Sequence, residues 1–432
     1  MYKRGALRPF YLGRTHCMNI LFIHQNFPGQ FRHLAPALAK LAHQVYALTM
    51  NELRLPGVRT IQYRPKQATS KTIFPLATDF ETKLIRAEAC AQAMKELRNS
   101  GFVPDLVIAH PGWGETMFLK DIFPQAKQLH FLEFYYSSLG GDVGFDTEFE
   151  NQQEDDAFRV TVKNAHVLMG LNEMDRAYAP TQWQKSRFPK AYHSKIEVIF
   201  DGIDTAKLLP QDQSKRTQIR LTNSAGQEKI LSTKDQCITF VNRNLEPYRG
   251  YHSLMRSLPQ ILQENPHAYV LIVGGDGTSY GAKPPKGKTW KQIFIEELGG
   301  KLDLSRVFFL GNLPYDQYVQ ILKLSDCHVY LTYPFVLSWS CLEAMSLGCV
   351  VVGSDTAPVT EVIEHGHNGL IVDFFDYEKI ASQIGQVLRH PEAFVQMRQN
   401  ARQTIIDRYD LQTVCLPRQL ALVNEMLGSK NQ

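Results

Sequence analysis

Short apolar strands alternate with helical segments in two successive series, and this pattern constrains the fold more than any other feature of the chain. The first series opens after Met18 with "NILFIHQ" (19–25) as a strand and "QFRHLAPALAKLAH" (30–43) as a helix that tolerates Pro36. It continues with a strand "QVYALT" (44–49), an amphipathic helix over about 80–99, and strands "DLVIAH" (105–110) and "QLHFLEFYY" (128–136). Strands are also expected at "AHVLMG" (165–170) and "KIEVIF" (195–200). Continuous apolar strands between helices predict a parallel sheet covered on both faces.

The stretch 201–236 interrupts the pattern with Thr, Ser, Gln and Lys, and reads as a linker. A second series follows, with strands at 237–242, 268–274, 306–311, 327–333, 349–354 and 369–374, and helices near 251–263, 289–299 and 315–325. Three helical segments close the chain. The expected architecture is therefore α/β, with two doubly wound domains over 18–200 and 237–409 facing a cleft at their strand carboxyl ends. A closing helix within 410–432 is expected to pack back on the first domain. The acidic run "GFDTEFENQQEDD" (144–156) reads as a solvated surface insertion.

At 432 residues the chain is too long for one ordinary core, in keeping with two domains. A balance of 47 basic against 43 acidic residues argues against a dedicated nucleic-acid binder, which would carry a basic stripe. No apolar run approaches the roughly 20 residues that span a bilayer. The seven cysteines are scattered without CxxC spacing, so a reducing cytoplasm is the simpler reading. Residues 1–17 carry Lys3, Arg4, Arg8 and Arg14 with no acid and no apolar core. They read as an upstream start or loose tail, with weak peripheral contact to anionic lipid as the second reading.

Five stretches offer chemistry at strand ends. "NRNLEPYRG" (242–250) presents Arg243 and Arg249, two permanent cations that suit the oxygens of a diphosphate. "LIVGGDG" (271–277) ends a strand in Gly274 and Gly275, which either let backbone approach a ligand or make a tight connection. "NFPGQFRHL" (26–34) places Gly29 near a helix start, with N–H groups available for an anion or hydroxyl. "AHPGWGE" (109–115) sets His110 over a Gly-x-Gly turn. In "TYPFVLSWSCLEAM" (332–345), Ser340 and Glu343 have capping-box spacing, while the alternative for Glu343 is to accept from two sugar hydroxyls. The N–H groups of 338–340 would then face phosphate. Local reasoning leaves both readings open. No Asp-x-Asp occurs, so no carboxylate pair for a nucleotide-bound metal is visible.

The segment "PFVLSWSCLEAMSLGCVVVGSDTAPVTEVIEHGHNGLIV" (334–372) resembles the donor-site region of the retaining family 4 glycosyltransferases, which share the GT-B fold. "KIEVIFDGIDT" (195–205) resembles the family's hinge signature, with Asp201 where Asn is usual, and "NRNLEPYRG" its diphosphate clamp, with Arg249 in the Lys place. "HQNFPGQFRHLAPALA" (24–39) resembles the opening of a bacterial subgroup. The resemblance implies that Arg243 and Arg249 neutralise a donor diphosphate, that Leu337, Ser338, Trp339 and Ser340 line the phosphates, and that Glu343 holds the ribose. Gly29 would meet the sugar or acceptor. It implies a nucleotide-diphosphate sugar as donor, a glycan or lipid-linked acceptor, retention of configuration, and no metal or cofactor. One position departs: the family pattern of Glu, seven residues, Glu meets Phe335 in place of its first carboxylate. His110 and Glu133 are the candidates to supply a polar contact to the sugar instead. A catalytically inactive binding protein and a nucleotide-sugar epimerase are the competing readings. A nicotinamide dehydrogenase is disfavoured because no complete Gly-x-Gly-x-x-Gly follows the first strand.

Overall fold

The computed structural model describes residues 17–149, 155–211 and 218–428. The first domain holds a seven-stranded parallel sheet in the order β3-β2-β1-β4-β5-β6-β7. Its strands are β1 (Asn19–Ile23), β2 (Gln44–Thr49), β3 (Val58–Gln62), β4 (Leu106–Ala109), β5 (Lys127–Phe131), β6 (Arg176–Ala179) and β7 (Ile196–Val198). An antiparallel hairpin, β8 (Gln218–Thr222) and β9 (Glu228–Ser232), precedes the second sheet. That six-stranded parallel sheet comprises β10 (Gln236–Asn244), β11 (Ala268–Gly275), β12 (Val307–Gly311), β13 (Cys327–Tyr330), β14 (Val350–Ser354) and β15 (Leu370–Val372), in the order β12-β11-β10-β13-β14-β15.

Both sheets reverse direction of winding beside their first strand: β1 pairs with β2 and β4, and β10 with β11 and β13. The crevice outside the strand ends at such a switch point is where open α/β sheets take ligands. His24 and His110 leave the first switch point and Arg243 the second, so the fold brings them to one cleft. The first sheet is buried on both faces: Ile20, Phe22, Leu106 and Ile108 pack on one side and Leu21, Ile23, Val107 and Ala109 on the other.

Several expectations are corrected. "AHVLMG" is not a strand: it lies inside the helix Asp156–Glu173. Its neighbourhood buries Val160, Asn164, Val167 and Leu171, a spacing of three or four that marks one helix face. The exposed-edge strand β3 and the short β6 lie outside the expected set. The stretch 201–236 is only partly a linker, because its hairpin buries Leu231 beside Cys237 and Phe308 of the second sheet. Asn223 and Ser224 also bond the Ser305 and Val307 carbonyls. The run 144–149 is not a solvated insertion: Thr147 and Glu148 are exposed, but Asp146 is buried and Phe145 and Phe149 pack on the second domain's core. Residues 150–154 of that run, and the tail 1–16, lie outside the described residues.

The chain crosses between domains twice, and the crossings touch. Ile203 N–H donates to the Tyr409 carbonyl and Leu411 N–H to the Ile203 carbonyl, each at 2.8 Å. The helix Leu416–Gly428 then returns to the first domain, burying Leu422, Val423 and Met426 with Ile20 and Leu38.

Candidate functional site

Between the domains lies a cavity of about 770 Å³, and beside it a crevice of about 410 Å³. Gln30, Glu133, Arg243, Tyr280 and Trp339 line both, so these residues mark the junction.

The first domain supplies a polar wall. His24 follows β1 and accepts the Asn26 N–H at Nδ1 (2.9 Å), which leaves the proton on Nε2 to reach Gln30 Oε1 at 2.8 Å. Gln30 passes its amide N–H to Glu133 Oε1 at 2.9 Å. His110 accepts the Gly112 N–H at Nδ1 (3.0 Å), and its Nε2 stands 3.4 Å from Glu133 Oε2. Burial, reinforced by His110, holds the His24 pKa down at about 3, so its ring is neutral. Burial pulls the Glu133 carboxyl up, but the His110 contact and the nearby Arg243 guanidinium help outweigh it and leave it below the ordinary value. One anionic carboxylate therefore faces the junction. Gly29 has φ +46°, and a Cβ there would stand 2.5 Å from His24 Nε2, so the turn over the imidazole needs glycine. Trp113 stacks on the His110 ring at 4.2 Å.

The second domain supplies the two clamp arginines, and Arg32 of the first domain also lines both spaces. Arg243 is exposed at the end of β10 and lines both cavity and crevice. Arg249 is buried, and its Nη1 donates to Thr332 Oγ1 at 2.8 Å and the Val336 carbonyl at 2.9 Å. The rings of Tyr280 and Phe335 lie 5.3 and 5.4 Å from its Cζ, within cation–π range. Among the described residues no carboxylate stands within ion-pairing distance of either guanidinium. A buried arginine whose direct contacts are neutral acceptors and aromatic faces, with Glu246 acting on it only from beyond ion-pairing distance, is a site for an incoming anion. Gly250 closes the turn at φ +71°, where a Cβ would fall 2.2 Å from Leu331 Cβ.

Phe335 lines the cavity and packs against Phe134, Tyr248 and Tyr280 at 4.5, 5.1 and 4.9 Å. The wall opposite Glu133 is thus aromatic. Sequence reading missed Glu246, although it lies within the clamp motif. Its buried carboxylate accepts the N–H groups of Ser279, Tyr280 and Gly281 at 3.1–3.2 Å and fixes the loop that carries Tyr280. Gln30 and His24 were also missed: an amide carries no signal, and His24, a strand-end histidine like His110, gains its role only when the fold links it through Gln30 to Glu133.

The helix Trp339–Ser346 corrects the capping-box reading. Ser338, not Ser340, is its N-cap residue, and Ser340 Oγ has no hydrogen-bond partner. Glu343 instead accepts the hydroxyls of Tyr315 (2.8 Å) and Tyr318 (2.6 Å). Burial pushes its pKa up against those two bonds. Leu337, Ser338, Trp339, Ser340 and Glu343 all line the crevice with Arg249. The Trp339 indole donates to Asp201 at 2.7 Å and lies under the Arg32 guanidinium at 4.5 Å, tying hinge and first domain to this helix. Gly274 and Gly275 do not line the crevice. Cβ atoms there would meet Leu245 and Asn244 at 2.8 Å, so these glycines serve the close packing of β11 against the clamp turn. Among the described residues no group of three His, Cys, Asp or Glu side chains is arranged to hold a metal ion.

Residues 41–208 match the family model "Glycosyl transferase family 4 group", and residues 224–404 match "Glycosyl transferases group 1". A D-inositol 3-phosphate glycosyltransferase of Corynebacterium urealyticum is 27% identical over 49% of this chain and 47% of its own. An N-acetyl-alpha-D-glucosaminyl L-malate synthase of Bacillus anthracis is 26% identical over 50% of each. The chain spans about half the length of the curated relatives it matches. Among solved structures, sucrose-phosphate synthase from Thermosynechococcus elongatus superposes with TM-score 0.68 at 19% identity, over 96% of this chain and 100% of that one. Anabaena Alr3699/HepE in complex with UDP and glucose gives 0.63 at 17%, over 94% and 99%. These likenesses show the fold, two parallel-sheet α/β domains arranged as GT-B.

Proposed function

Because this chain belongs to the family 4 glycosyltransferases, we propose that it moves a sugar from a nucleotide-diphosphate donor to a glycan or lipid-linked acceptor, with retention of configuration. The observation that carries this reading is the buried Arg249, unanswered by any carboxylate within 4 Å among the described residues, set in one crevice with Arg243. A donor diphosphate lying there would have its leaving-group charge stabilised by two permanent cations, one of them held in place, and by the backbone at 337–340. Such preorganised charge is the largest catalytic term available to a reaction that expels a phosphate. Glu343 would exchange its two tyrosine hydroxyls for those of a ribose. Glu133, held by Gln30 and His110, would stabilise the positive charge that develops on the sugar ring. The UDP complexes of Alr3699/HepE support a nucleoside diphosphate as the group bound.

Cytoplasmic synthesis of a bacterial surface polysaccharide or glycolipid is the setting we favour, supported by free cysteines throughout the described residues. No helix among the described residues is long and apolar enough to cross a membrane. Peripheral attachment at the inner face stays part of the proposal, carried by the basic start of the sequence.

Phe335 favours one second reading, a protein that binds the nucleotide sugar without turning it over, since its aromatic ring offers the sugar no acceptor. Product analysis separates the two. A nucleotide-sugar panel is incubated with and without acceptor, using wild type and Arg243→Ala. Transfer that disappears in Arg243→Ala supports the transferase, and unimpaired transfer in that variant sinks it.

A further inference from the structure

Asp142 and Asp146 stand four residues apart in a segment of the first domain that is seated on the second. Each carboxylate accepts one tyrosine hydroxyl from across the domain boundary: Tyr248 to Asp142 at 2.7 Å and Tyr333 to Asp146 at 2.9 Å. All four residues are buried. The two tyrosine rings pack together at 4.7 Å, and the Tyr333 N–H donates to the Tyr248 carbonyl at 3.1 Å. Each tyrosine is the chain neighbour of one half of the Arg249–Thr332 hydrogen bond, Tyr248 preceding Arg249 and Tyr333 following Thr332. The segment is anchored further along. Asp146 also meets His252 at 3.1 Å, and Glu148 takes both terminal nitrogens of Arg256 at 2.6 and 2.7 Å. Phe149 seats against Trp290 at 5.2 Å.

We propose that residues 142–149 form a cross-domain strap whose Asp142 and Asp146, through Tyr248 and Tyr333, position the Arg249 guanidinium for an anionic ligand. The inference rests on the reading of Arg249 as a diphosphate clamp and adds to it that the acceptor-side domain sets the clamp's geometry. Rotating either tyrosine off its aspartate frees the turn that carries Arg249 or the one that carries Thr332. The buried cation would then lose the alignment of its donors. Asp142 and Asp146 are positioning residues: they touch the tyrosines and not the ligand. A polar pair at each point does what packing alone would not, because a hydroxyl bonded to a buried carboxylate has one acceptable direction.

The test measures affinity for uridine, guanosine and adenosine diphosphates, each beside its parent nucleoside, by calorimetry. The proteins are wild type, D142A/D146A, D142N/D146N, Y248F and R249A, with thermal melts as the folding control. The strap predicts a loss of about 10-fold in diphosphate affinity for D142A/D146A, about 1.4 kcal/mol, with nucleoside affinity unchanged. D142N/D146N, whose amide oxygens still accept from the tyrosines, should recover most of the loss. Y248F, which removes one hydroxyl and keeps the ring, should show the same selective loss and serves if the double alanine variant does not fold. Diphosphate affinity equal to wild type in the alanine variant and in Y248F overturns the strap, as does an equal loss for nucleoside and diphosphate. If R249A itself binds diphosphate like wild type, the clamp reading fails and the strap's role with it.

Discussion

Replacing Asp201 by Asn is expected to stabilise the protein at pH 8 and to leave it nearly unchanged near pH 4. Asp201 is 7% exposed at the hinge, with Oδ2 accepting the Trp339 indole N–H and Oδ1 lacking any hydrogen-bond partner. Burial lifts its pKa from 3.8 to about 7, with the Trp339 bond working against the rise and the charge of Glu133 adding to it. An acid whose pKa is higher folded than unfolded holds more protons in the native state between those two values. Stability therefore falls as pH rises from about 4 to about 7 and is level above. A rise of about three units at ~1.4 kcal/mol each gives about 4 kcal/mol at most, and about 2 kcal/mol once water entry relieves part of the burial. Asn keeps an oxygen for the Trp339 indole and carries no charge to bury. Urea denaturation of both proteins from pH 4 to 8 should show the variant's advantage growing from near zero to about 2–4 kcal/mol. Stability curves that stay parallel over that range would refute the argument.

Glu246→Ala strips the acceptor from three backbone N–H groups at 279–281. Because that loop is partly open to water, the expected cost is about 2–3 kcal/mol by urea denaturation, with Glu246→Gln losing less. Gly29→Ala forces a side chain onto the His24 ring at positive φ, and should cost about 1–3 kcal/mol and lower turnover, read by melting and by initial rates. His110→Ala and Glu133→Ala should each reduce turnover about 100-fold while nucleoside diphosphate affinity does not fall, because both clamp arginines stay in place. If calorimetry and kinetics show turnover intact in both, the polar wall has no part in the chemistry.

The paired sheets were legible because parallel strands buried on both faces leave unbroken apolar runs such as "LFI" and "VLIV". Where a strand is short or lies at an exposed edge, as β6 and β3 do, the run is too brief or too polar to register. The helix through His166 and Val167 misled for the opposite reason, since a short apolar stretch broken only by His166 has no readable period. At the site, Arg243 and Arg249 were legible as permanent charges bounded by a strand and a glycine. Gln30, Glu246 and Asp146 were not, because a neutral amide or a carboxylate in a polar run looks solvated until tertiary contacts bury it. For Glu343 local spacing left two roles open, and only the fold removes the capping box: the helix begins earlier than Ser340 and tyrosines 25 and 28 residues upstream bond its oxygens.

The central claim is that the Arg243–Arg249 crevice takes a diphosphate, and titration of nucleoside diphosphates into wild type and Arg249→Ala tests it most directly. Ligand at 100 times its dissociation constant should raise apparent stability of the wild type by about 2.7 kcal/mol, visible as a shift in the melt. A diphosphate clamp predicts that shift with at least one nucleoside diphosphate, its near disappearance in Arg249→Ala, and no comparable shift with the parent nucleoside. A wild-type melt unmoved by every nucleoside diphosphate, or a shift that survives in Arg249→Ala, would contradict it.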